Sequence, residues 1–337
     1  MRFGVLQFFS WPGRRGDLAD VYRRALERVE IMDRTGYDCV WLAEHHFNDF
    51  SVCPSVHMMG VECAARTESI RIGTAVSLVG FAHPLRVAEE AAFLDVLSGG
   101  RLNFGAGRGA DPTEHAIFGV EPDESHDRFR EHLTIILEAW RNERLTWNSE
   151  WWQFENVEVM PKPLQQPLPP VWAAASSPPA ITWAAEQGHD ILLDPHSTHE
   201  DIGLKYQQYI AQLAAAGHPT EGRTTPISRL VCVAPTDEEA NTVARKGATW
   251  TVGSYASPEH GNVGVDLRAQ GSRDVGFHAR DPVARYVDDV MIWGSPARVV
   301  DELQRLQEEI HLDYLLASPM SRQTFQLLTD EVLPKLL

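Results

Sequence analysis

The chain has 337 residues, 43% of them hydrophobic, and sets 30 Lys and Arg against 47 Asp and Glu for a formal net charge of −17. So acidic a surface repels phosphate backbones and anionic bilayers, which excludes nucleic acid and membrane as expected partners. No apolar run approaches the roughly 20 residues needed to span a bilayer.

The first residues, Met1-Arg2-Phe3-Gly4-Val5-Leu6, run straight into strand-like sequence without signal-peptide design. Short apolar runs then alternate with longer helical patterns, the mark of a parallel sheet built from βα units. Arg2–Phe8 reads as a first strand and Leu18–Thr35 as its helix, with Asp17 as a cap. Cys39–Ala43 is a second buried strand, Pro54–Ala65 a helix and Ile70–Val76 strand three. The Leu85–Leu97 helix stops at Ser98-Gly99-Gly100, a glycine C-terminus. Arg101–Ala106 is strand four, followed by a polar loop and a strong helix from Ser125 to Arg141.

The alternating tryptophans of Leu145–Val159 predict a hairpin excursion, ending in the Pro-rich linker Pro161–Pro170. Val171–Ala175, Asp190–Leu193 and Ser228–Ala234 are strands five to seven, with helices between them. The Gly-rich stretch near Trp250–Pro282 reads as an insertion or lid, taken as residues 250–290. A helix over Pro296–Glu309, strand eight over Asp313–Ala317 and a closing helix over Phe325–Leu336 complete the chain. Eight strands so spaced predict one (β/α)8 TIM barrel with insertions over residues 1–337. Cys39, Cys53, Cys63 and Cys232 lack CxxC spacing, so no disulfide framework or zinc cluster is expected and a reducing cytoplasm fits.

Chemistry-bearing residues fall at strand ends: Glu44-His45-His46 after strand two, Ser77 after three and Gly105-Ala106-Gly107-Arg108-Gly109 after four. Ser176-Ser177 follows strand five and Asp194-Pro195-His196 strand six. In a barrel, strand ends of this kind build the active site. Adjacent residues leaving a strand point to opposite sides, so one metal ion rarely collects both histidines, and no metal is expected. A satisfied strand-end histidine and a proton donor to a cofactor both remain open. The glycines lack the strand–turn–helix setting of a dinucleotide loop. They suit either a tight barrel turn or close approach to a flat ligand, with Arg108 aimed at an anion. Arg128 and Arg130 sit in the first turns of a helix, where surface pairs with Glu124 or Glu131 are the ordinary outcome. Serines before Pro178-Pro179 suit an ordinary cap or a phosphate seat.

Several ordered motifs resemble bacterial luciferase and its monooxygenase relatives: Trp41-Leu42-Ala43-Glu44-His45-His46-Phe47, Ile72-Gly73-Thr74-Ala75-Val76, Ala82-His83-Pro84-Leu85-Arg86 and Gly99-Gly100-Arg101-Leu102-Asn103-Phe104-Gly105. The likeness runs to about Gly188, and Trp293-Gly294-Ser295-Pro296 is also typical. It implies a homodimeric enzyme that takes reduced FMN from a separate NAD(P)H:flavin reductase and uses O2, through a flavin C4a-hydroperoxide, to oxygenate a small organic substrate. His45 is then the catalytic histidine and Glu44 borders it. Ala75 and Val76 match a non-proline cis peptide beneath the isoalloxazine, beside Gly107. Arg108, Arg128 and Ser177, with Ser176 next to it, match phosphate-binding positions. Gly107 replaces the reactive thiol of luciferase proper, so light emission and an aldehyde substrate are not expected. A deazaflavin-dependent hydride-transfer enzyme and a non-catalytic flavin-binding protein are the alternatives.

Overall fold

The structure, a computed structural model, describes residues 1–224, 226–256 and 281–337. In chain order, β1 (Arg2–Gln7) and α1 (Leu18–Arg34) lead to β2 (Cys39–Leu42), α2 (Val56–Arg66), β3 (Arg71–Thr74), β4 (Ser77–Leu78) and α3 (Pro84–Leu97). Next come β5 (Leu102–Gly107), α4 (Pro112–Phe118), α5 (Ser125–Arg141), β6 (Leu145–Asn148), β7 (Gln153–Val157), β8 (Val171–Ala174) and α6 (Pro178–Glu186). The chain continues through β9 (Asp190–Leu192), α7 (His199–Ala215), β10 (Pro226–Val233), α8 (Asp237–Ala256) and α9 (Pro282–Asp289). It closes with β11 (Ile292–Gly294), α10 (Pro296–Ile310), β12 (Tyr314–Pro319) and α11 (Arg322–Leu327). Setting aside the short β4 and β11 and the β6–β7 hairpin, eight strands remain, each followed by a helix. That is the (β/α)8 fold with insertions that the periodicity predicts.

The chain divides into two compact units, a first of Gln7–Arg34 and Cys39–Ala173 and a second of Met1–Leu6, Thr35–Asp38 and Ala174–Leu337. In the first, β2, β3, β5 and β8 pair in parallel, with β4 alongside β5. Their sequences are near-continuous apolar runs, as strands covered on both faces require. Gly73 of β3 leaves room for the fully buried Trp41 indole, which a Cβ there would meet at 2.3 Å. Trp41 in turn stands edge-on to Trp172 of β8, with ring centroids 5.3 Å apart. The antiparallel β6–β7 pair is the expected hairpin. Its connecting Trp152 donates an indole N–H to Nε2 of the buried His132 at 2.8 Å. Nδ1 of His132 lies 2.8 Å from the Val79 carbonyl and donates to it, so the ring is held neutral between the two.

In the second unit β11, β10, β12 and β1 form a parallel sheet. Ala240, Ala244 and Ala248 line one stripe of α8 and let it approach Tyr286 and Val287 of α9 closely. Two expectations change. The stretch after β5 is not simply a polar loop, because α4 occupies Pro112–Phe118. The closing helix starts earlier, at Arg322, and its last turns pass from α to wider and then tighter winding over residues 328–335. Of the proposed insertion at 250–290, residues up to Ala256 continue α8 and Pro282–Asp289 forms α9. Residues 257–280 lie outside the described residues, and with them the lid reading. Among the described residues, no helix is long and apolar enough to cross a membrane.

Candidate active site

The first unit brings together the ends of β2, β3 and β5. Beyond β2, the His45 N–H donates to the Cys53 carbonyl at 3.2 Å. The His45 ring lies nearly parallel to Phe8, with centroids 6.2 Å apart, and meets the edge of Phe50 at 5.5 Å. Main chain and ring are therefore fixed, while 27% of the side chain stays exposed to a ligand. Nδ1 of His45 is 3.6 Å from Oε1 of Glu114, the same oxygen that accepts the His46 N–H at 2.8 Å. His46 turns the other way, its Nε2 at 3.3 Å from Oε1 of Glu44. The neighbouring histidines thus address different carboxylates, as their alternation along an extended chain dictates.

At the end of β3, the buried Thr74 hydroxyl donates to the Gly105 carbonyl at 2.6 Å and accepts the Gly105 N–H at 2.8 Å. The Ala75 N–H is held by Leu42 of β2 at 2.7 Å. The Ala75–Val76 peptide bond is cis. Both residues are half-buried between the fully covered Thr74 and Ser77, so two anchored neighbours present this peptide to its surroundings.

Where β5 ends, Gly107 pairs with Leu78 and is followed by Arg108. Nη1 of Arg108 donates to the Ser125 hydroxyl at 3.0 Å, at the start of α5. Among the described residues no carboxylate pairs with it, and burial alone draws its pKa below the ordinary guanidinium value. One turn along α5, Nε of Arg128 is buried without an acceptor, and the guanidinium stands 3.5 Å from Glu124, one of the two surface partners expected. A guanidinium carries five donors. These two arginines therefore keep donors in hand within a strongly acidic chain, and an anionic ligand meets that need. The half-buried Ala75–Val76 face offers a flat ligand a partly open surface. On these observations the residues fit FMN.

Ser176 and Ser177 belong to the second unit. Ser177 is the N-cap of α6, yet its hydroxyl makes no capping bond, and both serines are exposed. The expected row of free amides is thinner than the capping argument supposed. Pro178 and Pro179 occupy the first two helical positions and have no N–H to offer. Any seat there is made by the two serines and the Ala180 amide.

Asp194-Pro195-His196, a strand-end motif of equal promise in sequence, is spent on packing. Oδ2 of Asp194 accepts Nζ of Lys205 at 2.6 Å, and the Ser197 and His196 amides fill Oδ1. Burial pushes the Asp194 carboxyl up, but Lys205 outweighs it and the group stays below its ordinary value. His196 is buried against the Tyr286 hydroxyl at 2.9 Å, and burial takes its pKa down to about 4.

One residue of the His45 site escaped the sequence reading: Glu114. Its signal was present in Asp111-Pro112, a capping residue before proline, with Gly119 seven residues after Pro112. In the structure Oδ1 of Asp111 accepts the Thr113 N–H at 2.8 Å and Gly119 ends the helix at φ 67°. Read that way, Glu114 falls in the first turn of a helix rather than in a solvated loop.

A family model described as luciferase-like monooxygenase matches residues 1–311. The oxygenase component of the flavin-dependent trigonelline monooxygenase of Acinetobacter baylyi is 29% identical over 248 residues, 73% of this chain and 69% of that protein. The oxygenating constituent of 3,6-diketocamphane monooxygenase from Pseudomonas putida, solved with FMN, matches at a TM-score of 0.83 and 22% identity, covering 100% of this chain and 99% of that one. An F420-dependent secondary alcohol dehydrogenase matches at a TM-score of 0.77 and 16% identity, covering 100% and 99%. At such identities the two solved structures speak for the fold alone.

Proposed function

The chain belongs to the luciferase-like monooxygenase family, and we propose that within it the protein is the oxygenase of a two-component system. It receives reduced FMN from a separate NAD(P)H:flavin reductase and transfers one atom of O2 to a small organic substrate, the other leaving as water. The observation that carries this reading is the pair Arg108 and Arg128, cations with donors to spare in the unit that also holds His45. Bound FMN would supply the two electrons and the O2-reactive ring. Arg108 and Arg128 would hold its phosphate; Ala75, Val76 and Gly107 would line its ring. His45 would move a proton at the reacting end, with Glu44 orienting the adjacent His46. A guanidinium that retains free donors gains charge-assisted bonds with a phosphate, and these are the strong ones.

The same reading includes a homodimer in the cytoplasm. Phe93, Val96 and Leu97 share one face of α3 and are 51%, 42% and 49% exposed, with Met58 of α2 at 77%. An apolar face of this kind is usually covered by a partner. A deazaflavin enzyme is the second reading, favoured by the F420-dependent neighbour of the same fold. Incubation with 18O2, a flavin reductase, NADH and FMN, across a broad panel of small organic molecules, decides between them. One 18O atom in a product supports the oxygenase. Turnover only with reduced deazaflavin, without label, replaces it.

A further inference from the structure

We propose that Glu114 is the positioning residue of the His45 site: its buried carboxylate holds the imidazole in the tautomer with the proton on Nδ1, leaving Nε2 as the free base. The inference rests on His45 being the proton-handling group, as argued above.

Glu114 is 1% exposed. A carboxylate so covered needs compensation, because taking a charge out of water without partners is costly. Among the described residues no Lys or Arg pairs with it. Its recorded partners are the His46 N–H at 2.8 Å and the His45 ring at 3.6 Å, both on Oε1. One carboxylate oxygen therefore addresses the backbone just after His45 and the His45 ring itself. The ring separation is loose, and catalytic hydrogen bonds in empty sites commonly tighten when ligand binds.

The rest of the surroundings leaves little else to set the tautomer. Phe8 and Phe50 contribute aromatic carbon alone, and the His45 backbone N–H is already given to Cys53. The other titratable groups near this strand end are engaged elsewhere. Glu44 faces His46, and Nε2 of His115 faces the Gly109 carbonyl. Glu114 itself does not wander, since α4 is capped by Asp111 and stopped by Gly119. A carboxylate at Nδ1 does two things to a histidine: it selects which nitrogen carries the proton and it raises the basicity of the other.

The test needs no flavin. Long-range 1H–15N spectra of histidine-labelled protein, with the His45 resonance identified by its loss in His45→Gln, read the tautomer directly. Wild type is expected to show Nδ1–H at neutral pH. Glu114→Gln keeps an acceptor for the His46 N–H but removes the charge. It is expected to populate Nε2–H at neutral pH, since the charge that favours a proton on the facing Nδ1 is gone. Glu114→Asp retains charge at longer reach and gives an intermediate tautomer population. Wild-type His45 found as Nε2–H overturns the proposal whatever the variants do, as does a Glu114→Gln tautomer population that matches wild type. Loss of the catalytic assignment would show up differently, as unchanged turnover in His45→Ala with these spectra intact.

Discussion

Two clusters of acids, bases and histidines end strands in this protein, and they have opposite characters. In the first unit His45, Arg108 and Arg128 are braced by neighbours yet keep exposed ring or unfilled donors. In the second unit Arg229 is fully buried, giving Nε to Nδ1 of His199 at 3.2 Å and two further N–H groups to the Ser228 and Ser197 carbonyls at 2.9 and 3.0 Å. Lys205 and Asp194 close on each other and on Ser197 in the same way. Both clusters are rich in the residue types that do chemistry. What separates the two is the guanidinium: every nitrogen of Arg229 meets an acceptor, whereas Nε of Arg128 meets none.

The comparison breaks if the two regions respond alike to truncation. The largest expected effect is on catalysis. His45→Ala should cut turnover about 10²–10⁴-fold, the usual worth of a positioned proton-transfer group, while its urea midpoint stays near wild type. Arg229→Ala should do the reverse. It leaves two carbonyls and His199 unpaired in the interior, a loss of about 1–3 kcal/mol for each group left unmet in urea unfolding, with flavin affinity of the folded fraction unchanged. Equal effects of the two variants on both readouts would dissolve the distinction.

Acid sharpens it further. His196 and His199 are held neutral, their pKa values taken down to about 4 and about 2, the first by burial and the second by burial and then the Arg229 charge. The unfolded chain binds their protons near the ordinary value of about 6.5, so the unfolded state takes up more protons below that pH. The stability they contribute is complete above about pH 6.5 and falls as pH drops toward the folded values. From neutral pH to pH 5, His196 alone should account for about 2 kcal/mol of lost stability. His196→Gln, measured by urea unfolding across that range, should flatten the decline; an unchanged slope would place the titration elsewhere. The smallest effect is expected at the hairpin. Trp152→Phe removes the N–H given to His132 and should cost about 1 kcal/mol, seen as a modest fall in the urea midpoint.

Much of the architecture was legible in the pattern of apolar runs. All eight barrel strands and the Ser125–Arg141 helix lie where the sequence places them, because a strand covered on both faces and a long amphipathic helix each leave a signal spanning many residues. The hairpin was legible through its alternating tryptophans. Shorter elements were not: α4 has seven residues and β11 three, too few for a period to register. The site followed the same division. His45, Arg108 and the Ala75–Val76 peptide sit in contiguous motifs, so the resemblance could propose them as site residues. Glu114 reaches His46 across 68 positions of sequence, a contact that exists only after folding. Nor does spacing distinguish Glu44-His45-His46 from Asp194-Pro195-His196, since both follow a strand, and only burial and partner filling tell them apart.

The central claim is that Arg108 is kept free for a flavin phosphate. Anaerobic titration of wild type and Arg108→Ala with reduced FMN and with reduced riboflavin, which lacks the phosphate, tests it most directly. Wild type should prefer reduced FMN by about 10-fold or more, as a charge-assisted pair of about 1.5–3 kcal/mol requires, and Arg108→Ala should bind the two flavins nearly alike. Equal affinity of wild type for both flavins, or a preference untouched by Arg108→Ala, would contradict the account.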